Sequence, residues 1–449
     1  MTLTLRRVPS TIAITVIAAL LAALVFVSGW GVRSAQPDAT VVRQAAAAAP
    51  TVAAVLPAGV PTRQLVDDYT AALRAQPNNP QAYTNLALAE LQQVREDGDP
   101  TWYTKADALL TKALALDPKN FAALGGLGSL AASRHDFAGA LALGRRALAI
   151  DPSSSYALGV MVDAEVELGR YGDARRTLER MLNTRPDLSS YSRASYFLEL
   201  HGDIAGARRA LQQAIASGAP ARENTAWAYL YLGNLEFGQG HYGAAQRQYR
   251  LAAQAQPGFV HAIAAEAKLD AARGRYARAI ALYTTATQRL PLPSYVIALG
   301  DVQAAAGRRA AAARTYGLVR AEEALYQANG VNVDVELALF ETDHRGDPQQ
   351  ALGYARAAAA VQHSVVVEDA LGWTLYRAGH PHQALAAANR ALALGTRDAG
   401  FLFHRGAIEA GLGMRTAAAR DLSRALAINP HFSVLYELRA RRLLKQVSG

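Results

Sequence analysis

The chain has 449 residues, more than the roughly 100–200 of a usual single-core domain, so it must form several domains or a repeat array. Hydrophobic residues make up 51% of the chain, alanine dominates, and alternating Ile/Val runs are nearly absent beyond residue 60, which favours helices. The absence of cysteine excludes disulfides, thiolate metal sites and a cysteine nucleophile. The net charge is +9, and most of the basic residues are arginine. An arginine-rich composition is typical of proteins from GC-rich bacterial genomes, so basicity alone does not indicate an anionic partner.

The N-terminal residues 1–32 have the composition of a membrane-entering segment. Arg6 and Arg7 precede an uncharged stretch in which Ile12–Val27 is almost wholly apolar. About 20 apolar residues span the roughly 30 Å hydrocarbon layer of a bilayer. Basic residues before the segment predict a cytoplasmic N-terminus and an extracytoplasmic body. Two outcomes stay open: an uncleaved anchor gives a single-pass membrane protein, and a cleaved signal peptide gives a secreted one.

Residues 33–62 consist largely of Ala, Pro, Val and Gly and show no amphipathic pattern. This composition predicts a flexible linker that holds the body away from the membrane.

Beyond the linker, alanine recurs in one local context, after a turn and at the start of an amphipathic run. The spacings lie between 33 and 39 residues, most often 34, and the positions are Ala106, Ala140, Ala174, Ala207, Ala245, Ala279, Ala312, Ala351, Ala384 and Ala418. Prolines repeat with nearly the same period at Pro118, Pro152, Pro186, Pro220, Pro257, Pro291 and Pro430. A period of this length predicts an array of about ten units, each too small to bury a core alone.

Individual units carry a recognisable pattern. One copy consists of Tyr229, Leu232, Gly233, Glu236, Gly240, Tyr242, Ala245, Tyr249, Ala252 and Pro257. This pattern resembles the tetratricopeptide repeat, a helix–turn–helix unit of 34 residues. The resemblance implies an all-α fold, a right-handed α-solenoid of such repeats over residues 80–430. Residues 63–79 are expected to be an N-terminal capping helix, and residues 431–449 a C-terminal one.

Small residues in the first helix of each unit, helix A, predict close packing against the second, helix B. Gly233 and Gly300 are examples, and Tyr249 and Tyr316 are expected to fill the space toward the next unit. Proline is expected to end helix B. Extra residues near 95–101, 213–228 and 320–334 predict lengthened helices or protruding loops.

No residue pattern points to catalysis. The string Gly125–Gly128 lacks a following Lys and lies in a predicted helix, so helix contact explains it better than nucleotide binding. His344, His380 and His382 lack the spacing of a zinc protease and are expected to be exposed turn residues. Repeats, linker and membrane segment leave no room for an enzyme domain. We therefore expect a non-enzyme with no cofactor or metal.

In the repeat family that this sequence resembles, the A helices line a concave groove. Projecting the chain onto that pattern predicts protein-binding positions at Tyr156, Tyr196, Trp227, Asn234, Phe237, Lys268, Asp301, Phe340, Trp373, Tyr376 and Phe403. Rigid aromatic side chains bury a large area at a small entropic cost, which suits an extended or helical protein segment. Packing of these rings between repeats is the alternative.

Most arginines fall on the B helices and predict a basic convex face. This face could bind an anionic lipid or polymer, and the alternative is a solvated surface without a ligand. Nucleic acid is disfavoured because the arginines are separated from the aromatic track. The sequence therefore indicates a membrane-tethered, extracytoplasmic scaffold that binds a protein segment. The alternative is an accessory subunit of a membrane enzyme, transporter or envelope-assembly complex, contacted through the N-terminal helix and the convex face.

Overall fold

The computed structural model describes residues 60–218, 222–344 and 346–449, and over these ranges it contains 22 helices and no strand. The prediction of an all-α solenoid is confirmed. The membrane segment expected at residues 1–32 and nearly all of the linker lie outside the described residues. Among the helices that are described, none combines the length and the apolar character needed to cross a bilayer.

A single helix, α1 (Thr62–Ala75), precedes ten helix pairs, and α22 (Glu437–Ser448) follows them. The A helices are α2 (Pro80–Asp97), α4 (Phe121–Ser133), α6 (Ser155–Glu167), α8 (Leu188–Leu200), α10 (Arg222–Gly238), α12 (Val260–Ala272), α14 (Pro293–Ala305), α16 (Asp334–Asp343), α18 (Val365–Arg377) and α20 (Ala399–Gly411). The B helices are α3 (Thr101–Leu116), α5 (Phe137–Ile150), α7 (Tyr171–Thr184), α9 (Ile204–Ala216), α11 (Tyr242–Ala255), α13 (Tyr276–Arg289), α15 (Arg309–Ala328), α17 (Pro348–Val361), α19 (Pro381–Ala391) and α21 (Arg415–Ile428).

Local sequence signals set the helix ends. The Asn120 and Ser154 side chains accept hydrogen bonds from backbone N–H groups in the first turns of α4 and α6. Helices α3 and α5 end two residues before Pro118 and Pro152, and the residue before each proline is extended. The expected proline stop is confirmed at these helices.

Within each repeat, the two helices meet at small residues. All ten periodic alanines are buried, as their spacing predicted. Gly233 of α10 lies directly against the ring of Tyr249 on α11, which is fully buried. Gly300 and Tyr316 repeat this contact between α14 and α15. Each tyrosine therefore covers the glycine of its own repeat. Tyr316 also reaches the next repeat as expected, since its ring centre lies 6.0 Å from that of Phe340 on α16 and 4.3 Å from that of His344.

Consecutive repeats associate through the B helix of one repeat and the A helix of the next, and also through their A helices. Contacts join α4 to α6, α6 to α8, α10 to α12, α16 to α18 and α18 to α20, in addition to the contacts of each A helix with its own B helix. This arrangement places the A helices on the inner, concave side of a curved array and the B helices on the outer side.

The array curves so strongly that its second half lies against its first. Backbone N–H groups of His363 and Asn332 donate to the carbonyl oxygens of Glu167 and Arg134, at 3.1 and 3.0 Å. The Thr396 hydroxyl donates to the Leu200 carbonyl oxygen at 2.6 Å across 196 residues. The contacts recur at turns between helices, so successive superhelical turns touch at intervals of about one repeat.

The extra residues mostly lengthen helices. Helix α2 has 18 residues, α10 has 17 and α15 has 20, whereas most A helices have 13. The C-terminal helix begins at Glu437 and not at residue 431, where the expected capping helix starts. The Ser433 hydroxyl accepts hydrogen bonds from the N–H groups of Leu435 and Tyr436, which stabilises a turn in place of helix.

Candidate functional site

All eleven predicted binding residues lie on A helices, from Tyr156 on α6 to Phe403 on α20. They are therefore on the concave side of the array. Five of them are buried: Trp227, Phe237, Phe340, Trp373 and Phe403. Because Trp373 and Phe403 are 0% exposed, their rings fill the interior between repeats and do not line an open groove.

Three half-buried members of the set are held by hydrogen bonds to neighbouring helices. The hydroxyl groups of Tyr156 and Ser129 lie 2.5 Å apart. Asn234 accepts a hydrogen bond from the Tyr249 hydroxyl at 3.0 Å. Tyr196 donates more weakly, at 3.4 Å, to the Glu167 carboxylate. These side chains are fixed in place yet keep part of their surface accessible, the condition for a preorganised contact surface.

Lys268 is the most accessible of the eleven residues. Its side chain is exposed, and Nζ lies 4.5 Å from the centre of the Phe237 ring. Burial nevertheless lowers the pKa of Lys268, against the opposing charges of Asp398 and Glu199. Lys268 therefore lies on the concave face, where water reaches the amine but protein replaces part of the surrounding solvent. We call this part of the concave face the Lys268 cleft.

Two carboxylates complete this cleft. Burial raises the pKa of Glu199 to about 7, with Asp398 adding to the shift and Lys268 opposing it. Burial also raises the pKa of Asp398, although its side chain is exposed. Lys268, Glu199 and Asp398 lie on or beside α12, α8 and α20, which are distant in sequence. The cleft therefore depends on the contact between superhelical turns.

Sequence reasoning missed the contribution of Asp398. Its local pattern shows only that Asp398 caps α20, where its side chain accepts from the Phe401 N–H group. Proximity to Lys268 comes from superhelical curvature, which no local pattern contains.

The histidine prediction needs a correction at one position. His344 is mostly buried, and its Nε2 lies 2.8 Å from Asp301 Oδ1, so it is not an exposed turn residue. Burial acts to lower the pKa of His344, but the hydrogen bond and charge of Asp301 outweigh it and the net effect is to raise the pKa. Asp301, a predicted binding residue, also accepts from the Tyr316 hydroxyl at 2.7 Å. Its carboxylate is therefore engaged within the protein.

The last repeats carry a dense aromatic cluster on the concave side. The indole N–H of Trp373 donates to Asp343 Oδ1 at 2.8 Å, and the ring stacks on His404 at 4.4 Å. Tyr376, half-buried, lies 5.7 Å from Trp373 between ring centres. The segment before α22 covers this cluster.

The convex face has a different character. Exposed arginines occupy B helices at Arg145, Arg146, Arg175, Arg176, Arg209, Arg247, Arg250, Arg314, Arg356, Arg390, Arg420 and Arg424. Some pair with acidic neighbours, such as Arg390 with Glu368 at 2.7 Å. Others, including Arg145 and Arg146, have no ion pair within the described part of the chain. Over the same residues, no group of three or more His, Asp or Glu side chains is arranged to hold a metal ion.

Comparison with known proteins agrees with the repeat pattern. Family models described as tetratricopeptide repeat match residues 66–109, 103–155 and 131–195. No curated protein matches the sequence.

Several solved structures are similar to the chain. The crystal structure of the APC/C hetero-tetramer Cut9–Hcn1 is 17% identical, with a TM-score of 0.37, and the match covers 86% of this chain and 93% of that one. A tetratricopeptide repeat protein from Parabacteroides merdae is 18% identical, with a TM-score of 0.40 and coverage of 51% and 86%. The TPR domain of P58(IPK) is 15% identical, with a TM-score of 0.28 and coverage of 86% and 94%. The family-model matches show that the chain contains tetratricopeptide repeats.

Proposed function

We propose that this protein is a non-enzymatic scaffold whose concave face binds a segment of another protein. The observation that carries the proposal is Lys268 on the concave side, an exposed amine that lies 4.5 Å from the centre of the Phe237 ring and whose pKa the charges of Asp398 and Glu199 act to raise. Charged and aromatic groups that converge in a cleft can fix the orientation of a bound segment. Tetratricopeptide repeats are a binding architecture, which is consistent with this role.

The proposal includes a membrane tether. The apolar stretch Ile12–Val27 would anchor the protein, and the linker would hold the repeats outside the cytoplasm. Deleting residues 1–35 should release the repeat array from the membrane fraction without weakening partner binding by the concave face.

Capture of partners in intact cells tests the binding face. Full-length protein and a Lys268→Met/Glu199→Gln variant would be crosslinked and recovered, with partners identified by mass spectrometry. Both substitutions keep side-chain size and remove an ionisable group. We expect the variant to lose at least tenfold of the captured partner because the cleft recognises it through these charges. Partner capture at the wild-type level would contradict the concave-face proposal.

A second candidate function rests on the exposed arginines of the convex face. In that case the chain is an accessory subunit of a membrane enzyme, transporter or envelope-assembly complex. The matched variant is Arg145→Gln/Arg146→Gln on α5, a B helix that carries none of the cleft residues, and it removes two exposed charges. If this variant loses the partner while the cleft variant keeps it, the accessory-subunit function replaces the scaffold.

A further inference from the structure

The segment between α21 and α22 crosses the concave face of the last repeats. Residues 430–436 form turns, and each of them is partly exposed. Beneath them lie Trp373 and Phe403, which are fully buried. The segment is thus a cover over the aromatic cluster of this face.

Tyr436 contacts three consecutive A helices. Its ring centre lies 4.9 Å from that of Phe403 on α20 and 5.5 Å from that of Trp373 on α18. Its hydroxyl donates to Asp343 Oδ1 on α16, at 2.5 Å. The Tyr436 side chain therefore contacts the A helices of the last three repeats.

Two other residues of the segment also point into the array. Phe432 lies 5.6 Å from Phe403 between ring centres. Val434 packs against the hydrophobic cluster formed by α12, α13 and α14. Residues 432, 434 and 436 thus contact repeats from α12 to α20, whereas Leu435 belongs to none of the hydrophobic clusters in the described structure.

The segment is only lightly tied to the repeats by its backbone. In the described structure, the backbone groups of residues 432–436 that are hydrogen-bonded find their partners within 433–440, such as Glu437 N–H with the Ser433 carbonyl oxygen. The segment adds no helix turn or strand to the repeats. Side chains alone hold it in the groove.

We propose that residues 432–436 are an internal, exchangeable occupant of the partner-binding groove. The partner that displaces them is a short protein segment of the same chemistry, with two apolar side chains followed by a tyrosine. This inference rests on the proposed scaffold function and adds the class of the bound segment and a means of regulating access.

Asp343 gives the reason for a tyrosine. Its side chain is half-buried, and its carboxylate accepts from the Trp373 indole and the Tyr436 hydroxyl. A half-buried carboxylate that loses a donor is destabilised, so an incoming segment must replace the Tyr436 hydroxyl. A segment with only apolar side chains would remove one of the two donors that Asp343 Oδ1 has among the described residues and leave it the Trp373 indole.

Fluorescence polarisation tests the exchange with a labelled peptide of residues 430–437. The proteins are the full-length wild type, a Val434→Ser/Tyr436→Ala variant that loosens the internal segment, and a Leu435→Ala control. We expect the double variant to bind the peptide at least tenfold more tightly than the wild type and the control. A peptide carrying Tyr436→Ala should bind the double variant at least tenfold more weakly. Equal affinity of all three proteins, or no binding by a folded double variant, would overturn the proposal.

Hydrogen exchange on the wild-type protein covers the case in which the double variant does not fold. An exchangeable occupant opens without unfolding the repeats, so the amides of 431–437 should exchange at least a hundredfold faster than those in the middle of α20. Equal protection would mean that the segment is a permanent part of the core. This result would not affect the capture experiment with the Lys268 and Glu199 variant. The scaffold proposal is therefore tested separately from the exchange proposal.

Discussion

Gly233 shows how a single residue controls the packing of a repeat. A Cβ atom at this position would lie 2.4 Å from Cε1 of Tyr249, well inside van der Waals contact. The ring has little freedom to move away because it is fully buried and its hydroxyl donates to Asn234. Helix propensity alone would favour alanine here, so the contact has overridden the local preference.

We expect Gly233→Ala to lower the free energy of unfolding by roughly 1–3 kcal/mol, the usual effect of overpacking a close contact. Gly317→Ala is the matched control, because Gly317 lies within α15 and a Cβ there would contact nothing within 4 Å. The control should be neutral or stabilising by up to about 1 kcal/mol through helix propensity. Urea unfolding followed by circular dichroism measures both. A Gly233→Ala midpoint equal to that of the wild type would refute the packing argument.

At the scale of elements, the lengthened helix α15 carries two buried carboxyl groups. Glu322 and Glu323 are buried where α15 packs on α16, and neither has a hydrogen-bond partner among the described residues. Burial raises the pKa of Glu323 to about 9, and the nearby charges of Glu336, Glu341 and Glu322 add to the shift. Glu323 is therefore protonated in the folded protein at neutral pH.

This shift makes the stability of the α15–α16 region depend on pH. The pKa of an unfolded glutamate is about 4.3, so folding takes up a proton at Glu323 between this value and about 9. The associated stability is fully present below the unfolded pKa and is lost as the pH rises through about 9. Glu323→Gln removes the ionisation, so the variant should gain stability relative to the wild type as the pH rises from 5 to 9.

Urea midpoints at pH 5, 7 and 9 measure the difference between the two proteins. Glu179→Gln on the exposed face of α7 serves as the control and should show no growing difference. If the difference in urea midpoint between the wild type and Glu323→Gln stays constant from pH 5 to 9, Glu323 does not titrate as a buried group.

At the scale of the whole molecule, contact between superhelical turns converts an extended array into a closed body. Thr396 is buried and donates to the carbonyl oxygen of Leu200. The Tyr171 hydroxyl accepts from the Val365 N–H group at 2.9 Å in the next such contact. Each repeat contributes only a few of these bonds, so the closed form depends on their sum.

We expect Thr396→Val to weaken the contact between superhelical turns. The isosteric side chain fills the site but leaves the Leu200 carbonyl oxygen unpaired, which should cost roughly 1–3 kcal/mol. Amides near 200–203 should exchange faster, and small-angle scattering should show a larger radius of gyration. Thr285→Val is the control, because Thr285 is exposed on α13 and its hydroxyl bonds only within its own helix. Unchanged exchange and radius in Thr396→Val would mean that the turns are held together by other contacts.

Sequence alone determined the repeat unit of this protein. The period of the alanines and prolines identified ten helix pairs, because each pair is held by contacts within about 34 residues and leaves its pattern in the local sequence. Helix caps and the glycine contacts of helix A follow for the same reason. The assignment of the eleven binding residues to A helices was also available from the period.

Only the tertiary structure decided which of those residues solvent can reach. Trp373 and Phe403 occupy the same kind of helix position as Lys268, yet the first two are buried and the third is exposed. The difference arises from superhelical curvature and from the segment ending at Tyr436, which bring together residues far apart in the chain. Curvature is the sum of small rotations between neighbouring repeats, and no single repeat carries a sequence signal for that sum.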